Sequence, residues 1–356
     1  MSDVFIRKGD EFPTVKVAAV HSSSVYLDRE GTTNKACSLI KEAGEKSAKL
    51  IAFPETYIPG YPFWIWTHTP KTGAHLYELL FRNSVTIPSE TTGRIGEAAR
   101  KAGAYVVMGI NEREYGTLYN TLLFFDDSGE IIGKHRKLQP TNVERIIWGR
   151  GDGSDLDVYE TPFGNLSGLI CWEHSMDLVR YSLAALGEQI HIASWPAISA
   201  LKHDPQSEIF NSWTEAAARH HAAANQTFVI NVQSIIDQET IDILGLTNQP
   251  DMIQTGGGWS AIIDSRGQYI SGPVTDDEQI LYGDLDLSQI ILSKFAADSV
   301  GHYARPDVAR LVLNRSKQSI IEHVKPITTK ENTNGNQEES KKSFDKIELF
   351  EEIQET

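Results

Sequence analysis

The chain has 356 residues, 40% apolar and 23% charged, with a formal net charge of −15 and two cysteines. That is the profile of a folded globular protein, long enough for one large α/β domain. The acidic balance repels nucleic acid and anionic lipid, two cysteines cannot make a disulfide framework or by themselves a zinc site, and no apolar run reaches the roughly 18 residues of a membrane span, so neither nucleic acid nor membrane is an expected partner. In chain order, VKVAAV (15–20) reads as a strand. Residues 33–47 read as a helix with Ala36, Ile40 and Ala43 on one face, and LIAFPE (50–55) as a strand ending at a proline. A helix over 92–103 closes at Gly103, and a strand over 104–112 follows. Residues 119–137 read as a hairpin around Asp-Ser-Gly. Further strands are expected at 166–170, 189–197 and 227–234, alternating with helices at 176–187 and 211–226. Residues 257–270 form a second hairpin around Asp-Ser-Arg-Gly, and LYGDLDL (281–287) is the last strand.

Helix-linked strands mixed with antiparallel hairpins argue for an α/β fold of stacked mixed sheets covered by helices, and against a purely doubly wound sheet. Residues 1–325 are expected to form one domain. From 326 the composition turns polar, which predicts a disordered tail over 326–356. Within it Phe344, Ile347, Phe350 and Ile353 are spaced like one face of a short helix, available to a partner subunit or simply frayed. The N-terminal stretch MSDVFIRKGDEFPTV has early acids and no apolar core, so it is not read as a secretion signal. With so few cysteines, a cytoplasmic location is expected.

The residues with chemistry fall at strand ends. Cys171 closes the apolar run in GLICWEH, Glu55 follows the strand in IAFPETYIPGYP, and Lys137 follows another in GKHRKLQPT. Loops at the carboxyl ends of strands converge on one crevice in α/β folds, so these three can meet. A free thiol titrates near about 8.5 and is a weak nucleophile at neutral pH. An ammonium and the N-terminal dipole of a following helix would favour the thiolate, and a carboxylate could take the thiol proton and later activate water. Glu144, in NVERIIWG, could orient the lysine or position a substrate.

These same stretches resemble a known family. FPETYIPGYP, HRKLQPTNVERIIWGRGDG and GLICWEH are similar to the three signature blocks of the nitrilases, within the carbon–nitrogen hydrolase superfamily. LYNTLLFF, HIASWPA and SVGHYARPDV extend the resemblance over roughly Val15 to Leu313. It implies a Glu55–Lys137–Cys171 triad with Glu144 as a second glutamate. It also implies a four-layer α-β-β-α sandwich, a homo-oligomer built from dimers, and no metal or organic cofactor. Tryptophan after the nucleophile, then Glu-His, is similar to nitrilases proper; amidase branches more often carry tyrosine there. The implied reaction converts an organic nitrile to carboxylic acid and ammonia through a covalent thioimidate and thioester. A cyanide-degrading enzyme or an amidase of the same superfamily is the alternative. Tyr61, Trp172 and Trp195 are the expected substrate-contacting aromatic residues.

Each residue also has a plainer reading. Without its partners Cys171 would be a small buried side chain, and Cys37 packs on its helix. Glu55 could be a loop carboxylate and Lys137 a solvated charge, while Glu144 could pair with Arg145 or Arg150. His174, about one helical turn from Cys171, could form a Cys–His pair of the papain kind, but a structural role is preferred because lysine and glutamate already supply activation. The aromatic group Tyr57, Tyr61, Phe63, Trp64 and Trp66 suits a pocket, a core or an interface equally. Adjacent His220 and His221 diverge on a helix and do not suit one metal ion, and Gly256–Gly258 marks a turn into a strand.

Overall fold

In the computed structural model, residues 11–202, 205–319 and 321 are described. The predicted tail and its amphipathic segment lie outside the described residues. The architecture below belongs to the unit that runs to Gln318.

The first half carries β1 (Thr14–His21), α1 (Arg29–Glu45), β2 (Leu50–Ala52), α2 (Trp64–Thr67), α3 (Ala74–Asn83), α4 (Glu90–Ala102), β3 (Tyr105–Glu114), β4 (Thr117–Phe125) and β5 (Ile131–Arg136). The second half carries β6 (Tyr159–Thr161), β7 (Gly164–Ile170), α5 (Asp177–Ala185), β8 (Ile190–Trp195), α6 (Pro205–Asn225), β9 (Phe228–Gln233), α7 (Gln238–Ile243), β10 (Ser260–Ile263), β11 (Tyr269–Val274), β12 (Gln279–Asp286) and α8 (Gln289–Ala296). Helix ends follow local chemistry. Asp28 caps α1 by accepting from the Gly31 N–H, which starts the helix ahead of the predicted residue 33. Ser89 and Thr92 form a capping box on α4, and Gly103 closes that helix in the left-handed conformation as predicted. The short helices α2, α3, α7 and α8 were not foreseen, and α6 begins at Pro205 rather than 211.

Two six-stranded sheets result, ordered β12-β1-β2-β3-β4-β5 and β11-β10-β9-β8-β7-β6. Each is parallel at its centre, β1-β2-β3 and β7-β8-β9, because helices connect those strands. Antiparallel neighbours flank both centres.

Side-chain alternation sets the layers. In β1, Val15, Val17 and Ala19 face a core shared with Leu166, Ile192, Phe228 and Ile230 of the second sheet. Ala18 and Val20 face the other way, onto Ala36, Ile40 and Ala43 of α1 and Ile95 and Ala99 of α4. Both faces of the strand are covered, which is why it reads as a continuous apolar run. On the far side, Leu183 of α5 packs on Leu169 of β7, and Ala218 and Ala222 of α6 are buried. The result is the four-layer α-β-β-α sandwich expected. Among the described residues no helix is long and apolar enough to cross a membrane.

Candidate active site

Glu55, Lys137 and Cys171 each sit just past the carboxyl end of a strand, β2, β5 and β7 respectively. The Pro54–Thr56 segment crosses directly over β3 at Gly109, where a Cβ would lie 2.0 Å from the Pro54 carbonyl oxygen and 2.7 Å from the Thr56 nitrogen. Only glycine allows that approach, and the approach delivers Glu55 to the crevice. Lys137 is fixed by its own N–H, which donates to the Asn120 carbonyl at 2.8 Å. Cys171 has φ +52°, a left-handed backbone that L side chains rarely adopt. It opens a 3-10 turn, Cys171–Ser175, and the α-helix begins only at Asp177. The expected helix dipole at the thiol is therefore replaced by a tight turn.

Lys137 Nζ donates to Glu55 Oε1 at 2.9 Å and to Glu144 Oε2 at 2.8 Å, with all three side chains almost wholly buried. Asn120 Nδ2 donates to Glu55 Oε1 at 2.6 Å. Glu144 also accepts from the Tyr61 hydroxyl at 2.8 Å and from the Thr141 N–H at 2.7 Å. It therefore orients the lysine rather than pairing with Arg145 or Arg150. The second oxygen of Glu55, Oε2, is buried and has no hydrogen-bond partner.

The electrostatics follow from burial and this trio. Desolvation raises Glu55 to about 7, with Lys137 opposing and Glu144 adding to the rise. Burial works against the charge on Lys137, but Glu144 and Glu55 outweigh it and hold the ammonium well above the usual lysine range. Burial pushes the Cys171 thiol well up, opposed by the Lys137 charge and reinforced by both glutamates. The resting thiol therefore holds its proton, while the Lys137 charge acts toward the thiolate, the direction expected of it. Glu55, a base with its midpoint near 7, is among the charges that act on this thiol.

A cavity of about 30 Å³ opens onto Cys171 and Glu144, walled by Tyr61, Trp66, Trp172 and Phe210. Tyr61 and Trp172 thus line the cavity, and the Tyr61 hydroxyl is engaged by Glu144. Trp195 does not line this cavity. It is buried one layer back, stacked on the His174 ring with centroids 4.8 Å apart. Of the aromatic run after Glu55, Tyr57, Phe63 and Trp64 belong to the cores. The papain-like pair is not formed: His174 Nδ1 meets the Cys171 carbonyl oxygen at 2.7 Å rather than the thiol.

Two residues act at a distance that the sequence did not disclose. Asn120, a buried amide in β4, steers Glu55. Glu173 is buried and accepts from the Ile170 N–H at 2.8 Å, the Leu138 N–H at 2.8 Å and His135 Nε2 at 2.9 Å. It ties the residue before Cys171 to the residue after Lys137. Burial works against its charge, but His135 and these donors hold its carboxyl below the usual range. Among the described residues one group has metal-ligand chemistry, Glu188, His191 and His221, with ligand atoms within 4.8 Å of one another. Those atoms already bond each other directly, His191 Nδ1 to Glu188 Oε1 at 2.5 Å and His221 Nε2 to Glu188 Oε2 at 2.7 Å. His220 points elsewhere, its Nδ1 2.7 Å from Arg180 Nη1.

The chain matches the carbon-nitrogen hydrolase family over residues 16–295. It is 41% identical over 316 residues to a nitrilase of Bacillus sp. (strain OxB-1), covering 88% of this chain and 92% of the relative. It is 40% identical over 320 residues to an aliphatic nitrilase of Rhodococcus rhodochrous, covering 89% and 85%. In three dimensions it is similar to a carbon-nitrogen hydrolase from Helicobacter pylori G27, with TM-score 0.67, 20% identity, and 83% and 97% of the two chains covered.

Proposed function

Because the chain belongs to the carbon–nitrogen hydrolase family, among its nitrilases, and is a hydrolase of carbon–nitrogen bonds other than peptide bonds, we propose that it converts an organic nitrile and two waters to a carboxylic acid and ammonia through Cys171. Glu55 takes the thiol proton on its unpartnered oxygen, and the sulfur attacks the nitrile carbon. The nitrogen gains a proton, giving a thioimidate. Water, deprotonated by Glu55, adds to that carbon, and the tetrahedral intermediate expels ammonia to leave a thioester. A second water, activated in the same way, releases the acid and returns the thiol. Lys137 stabilises the negative charge that develops at each addition, while Glu144 and Tyr61 hold the lysine in place.

The observation that carries this reading is the free Oε2 of buried Glu55, which is paired with Lys137, both of them acting electrostatically on the Cys171 thiol. The cavity of about 30 Å³ admits the cyano end of a substrate. Cyanide itself also fits, which gives a specific second reading. The test is a panel of an aliphatic nitrile, an arylacetonitrile, cyanide and an amide, with acid and amide products resolved. We expect acid and ammonia from at least one organic nitrile, and none from Cys171→Ala. Ammonia release that survives in Cys171→Ala would reject the mechanism, and turnover of cyanide or amide alone would reject the substrate class. A homo-oligomer is the proposed assembly; sedimentation as a single chain would reject it.

A further inference from the structure

We propose that His174 is a positioning residue for the nucleophile, held by a buried chain of His191, Glu188 and His221 that locks the Cys171–Trp172 peptide from behind the cavity. The inference rests on the reading of Cys171 as nucleophile.

The chain is continuous. His174 Nδ1 lies 2.7 Å from the Cys171 carbonyl oxygen, and its Nε2 lies 2.8 Å from His191 Nε2. His191 Nδ1 is 2.5 Å from Glu188 Oε1, and His221 Nε2 is 2.7 Å from Glu188 Oε2. The Ser167 hydroxyl donates to Glu188 Oε1 as well. His174 stacks on Trp195, and His191 on His221 with centroids 3.8 Å apart. All four members are buried. They come from the turn after Cys171 (His174), the start of β8 (His191), the connection two residues before β8 (Glu188) and α6 (His221), so the unit joins the nucleophile's turn to a sheet strand and an outer helix.

Counting hydrogens gives its charge. The carbonyl of Cys171 can only accept, so His174 carries a hydrogen on Nδ1 and, as a neutral ring, accepts at Nε2. His191 must then donate from Nε2 to His174 and from Nδ1 to Glu188. His221 donates from Nε2 and leaves Nδ1 unpartnered. Four bridging hydrogens on three imidazoles and one carboxylate make an imidazolium–carboxylate pair with no net charge, which is the form a buried unit can hold. The burial that keeps His174 neutral, and the two histidines that outweigh burial to keep Glu188 ionised, agree with this count.

The consequence lies in one rigid plane. The Cys171 carbonyl and the Trp172 N–H belong to the same peptide unit, which cannot bend between them. His174 holds the oxygen, and the Trp172 N–H acts on the Cys171 thiol in the direction of the thiolate. Cys171 is also in the left-handed region, from which it would relax if released. Gripping the carbonyl fixes the direction of that N–H while the thiol gives up its proton.

The test compares His174→Asn with His174→Gln. The asparagine amide sits where Nδ1 was and still reaches the carbonyl; the glutamine amide sits where Nε2 was and reaches His191 instead. Rates are normalised to folded protein, and Cys171 is also read without any nitrile by its rate of alkylation with iodoacetamide against pH. Lys137, Glu55 and Glu144, the charged groups that face the thiol, are unchanged in these variants. We expect His174→Gln to lose about 100-fold in kcat with KM within about twofold, the scale of a small misplacement of reacting groups. Its alkylation profile moves to higher pH. His174→Asn stays within about tenfold of wild type, and Glu188→Gln, which breaks the chain two members away, falls between them and decides the matter if His174→Gln does not fold. Equal rates in the Asn and Gln variants of an active nitrilase would overturn the proposal. So would a stoichiometric metal ion in the purified protein whose chelation abolishes alkylation, which would assign Glu188, His191 and His221 to the ion. A wild type that turns over no nitrile yet shows the Asn–Gln difference in alkylation would fail the substrate reading and keep this one.

Discussion

Two buried carboxylates share Lys137, and their hydrogen bonds tell them apart. Glu144 spends one oxygen on Tyr61 and the other on Lys137 and the Thr141 N–H, whereas Glu55 places Lys137 and Asn120 on one oxygen and leaves the other free. Glu55 is therefore the group able to move a proton, and burial has raised it to about 7. The base form is the active one, so kcat/KM should rise with pH through a limb near 7 and fall about tenfold for each pH unit below it. A pH profile of kcat/KM measures this, and a limb near the ordinary carboxylate value would contradict the assignment. The four charged or nucleophilic residues were legible because a thiol, an ammonium and carboxylates are conspicuous at the ends of apolar strands. Asn120, Glu173 and the partner of His174 were not, since their roles depend on atoms reached only across strands. The expectation for Trp195 differs for the same reason: an aromatic ring on the strand beside that of the thiol can equally stack behind it, as this one does on His174.

The element that aims the base is a crossing of chains rather than a helix or a strand. The Pro54–Thr56 segment passes over β3 so closely that Gly109 is the residue whose missing Cβ permits it, with the backbone of Pro54 as the obstructing atoms. Backbone cannot swing aside as a side-chain tip can. Gly109→Ala should therefore lift the segment, withdraw Glu55 from Lys137 and destabilise the fold by about 1–3 kcal/mol, the usual cost of forcing extra volume into a packed interior. Thermal unfolding and kcat on the same preparation check both halves, and an enzyme with full kcat would show that the crossing does not position Glu55. Strands and hairpins were legible because β-branched runs end in glycine- and aspartate-rich turns. Short helices such as α2 and α7 were not, since four to six residues show too little of a 3.6-residue period. The helix after Cys171 was placed at 176–187 and begins at Asp177, whereas the intervening turn, in which Glu173 takes the Ile170 and Leu138 N–H groups, was not legible.

At the scale of the whole molecule, mixed sheets and covering helices could be read from the alternation of elements, whereas the strand order, with β12 beside β1, depends on a contact between the two ends of the domain that no local pattern encodes. That sandwich must bury the site's charges, and burial makes stability depend on pH in opposite directions. Glu55 binds its proton more tightly when folded, at about 7 against an ordinary 4.5, so its contribution to stability is present below pH 4.5 and is lost as pH rises through 7. Glu173 and Glu188 are held below their ordinary range, so their contributions are present above pH 4.5 and are lost only as pH falls through their lowered values. Lys137 is held above its range, and its contribution persists until the pH passes that raised value. Of these four groups only Glu55 changes its contribution between pH 4.5 and 8, and the buried histidines that also titrate there are common to wild type and a Glu55 variant. A shift of this size corresponds to roughly 3 kcal/mol. Glu55→Gln removes the titration while leaving Lys137 paired with Glu144, so the stability of wild type relative to this variant should decline by that order from pH 4.5 to 8. Chemical denaturation of both proteins across that range measures the difference. A constant gap would mean that Glu55 titrates alike in the folded and unfolded chain, and the same result would remove the poised base from the active site.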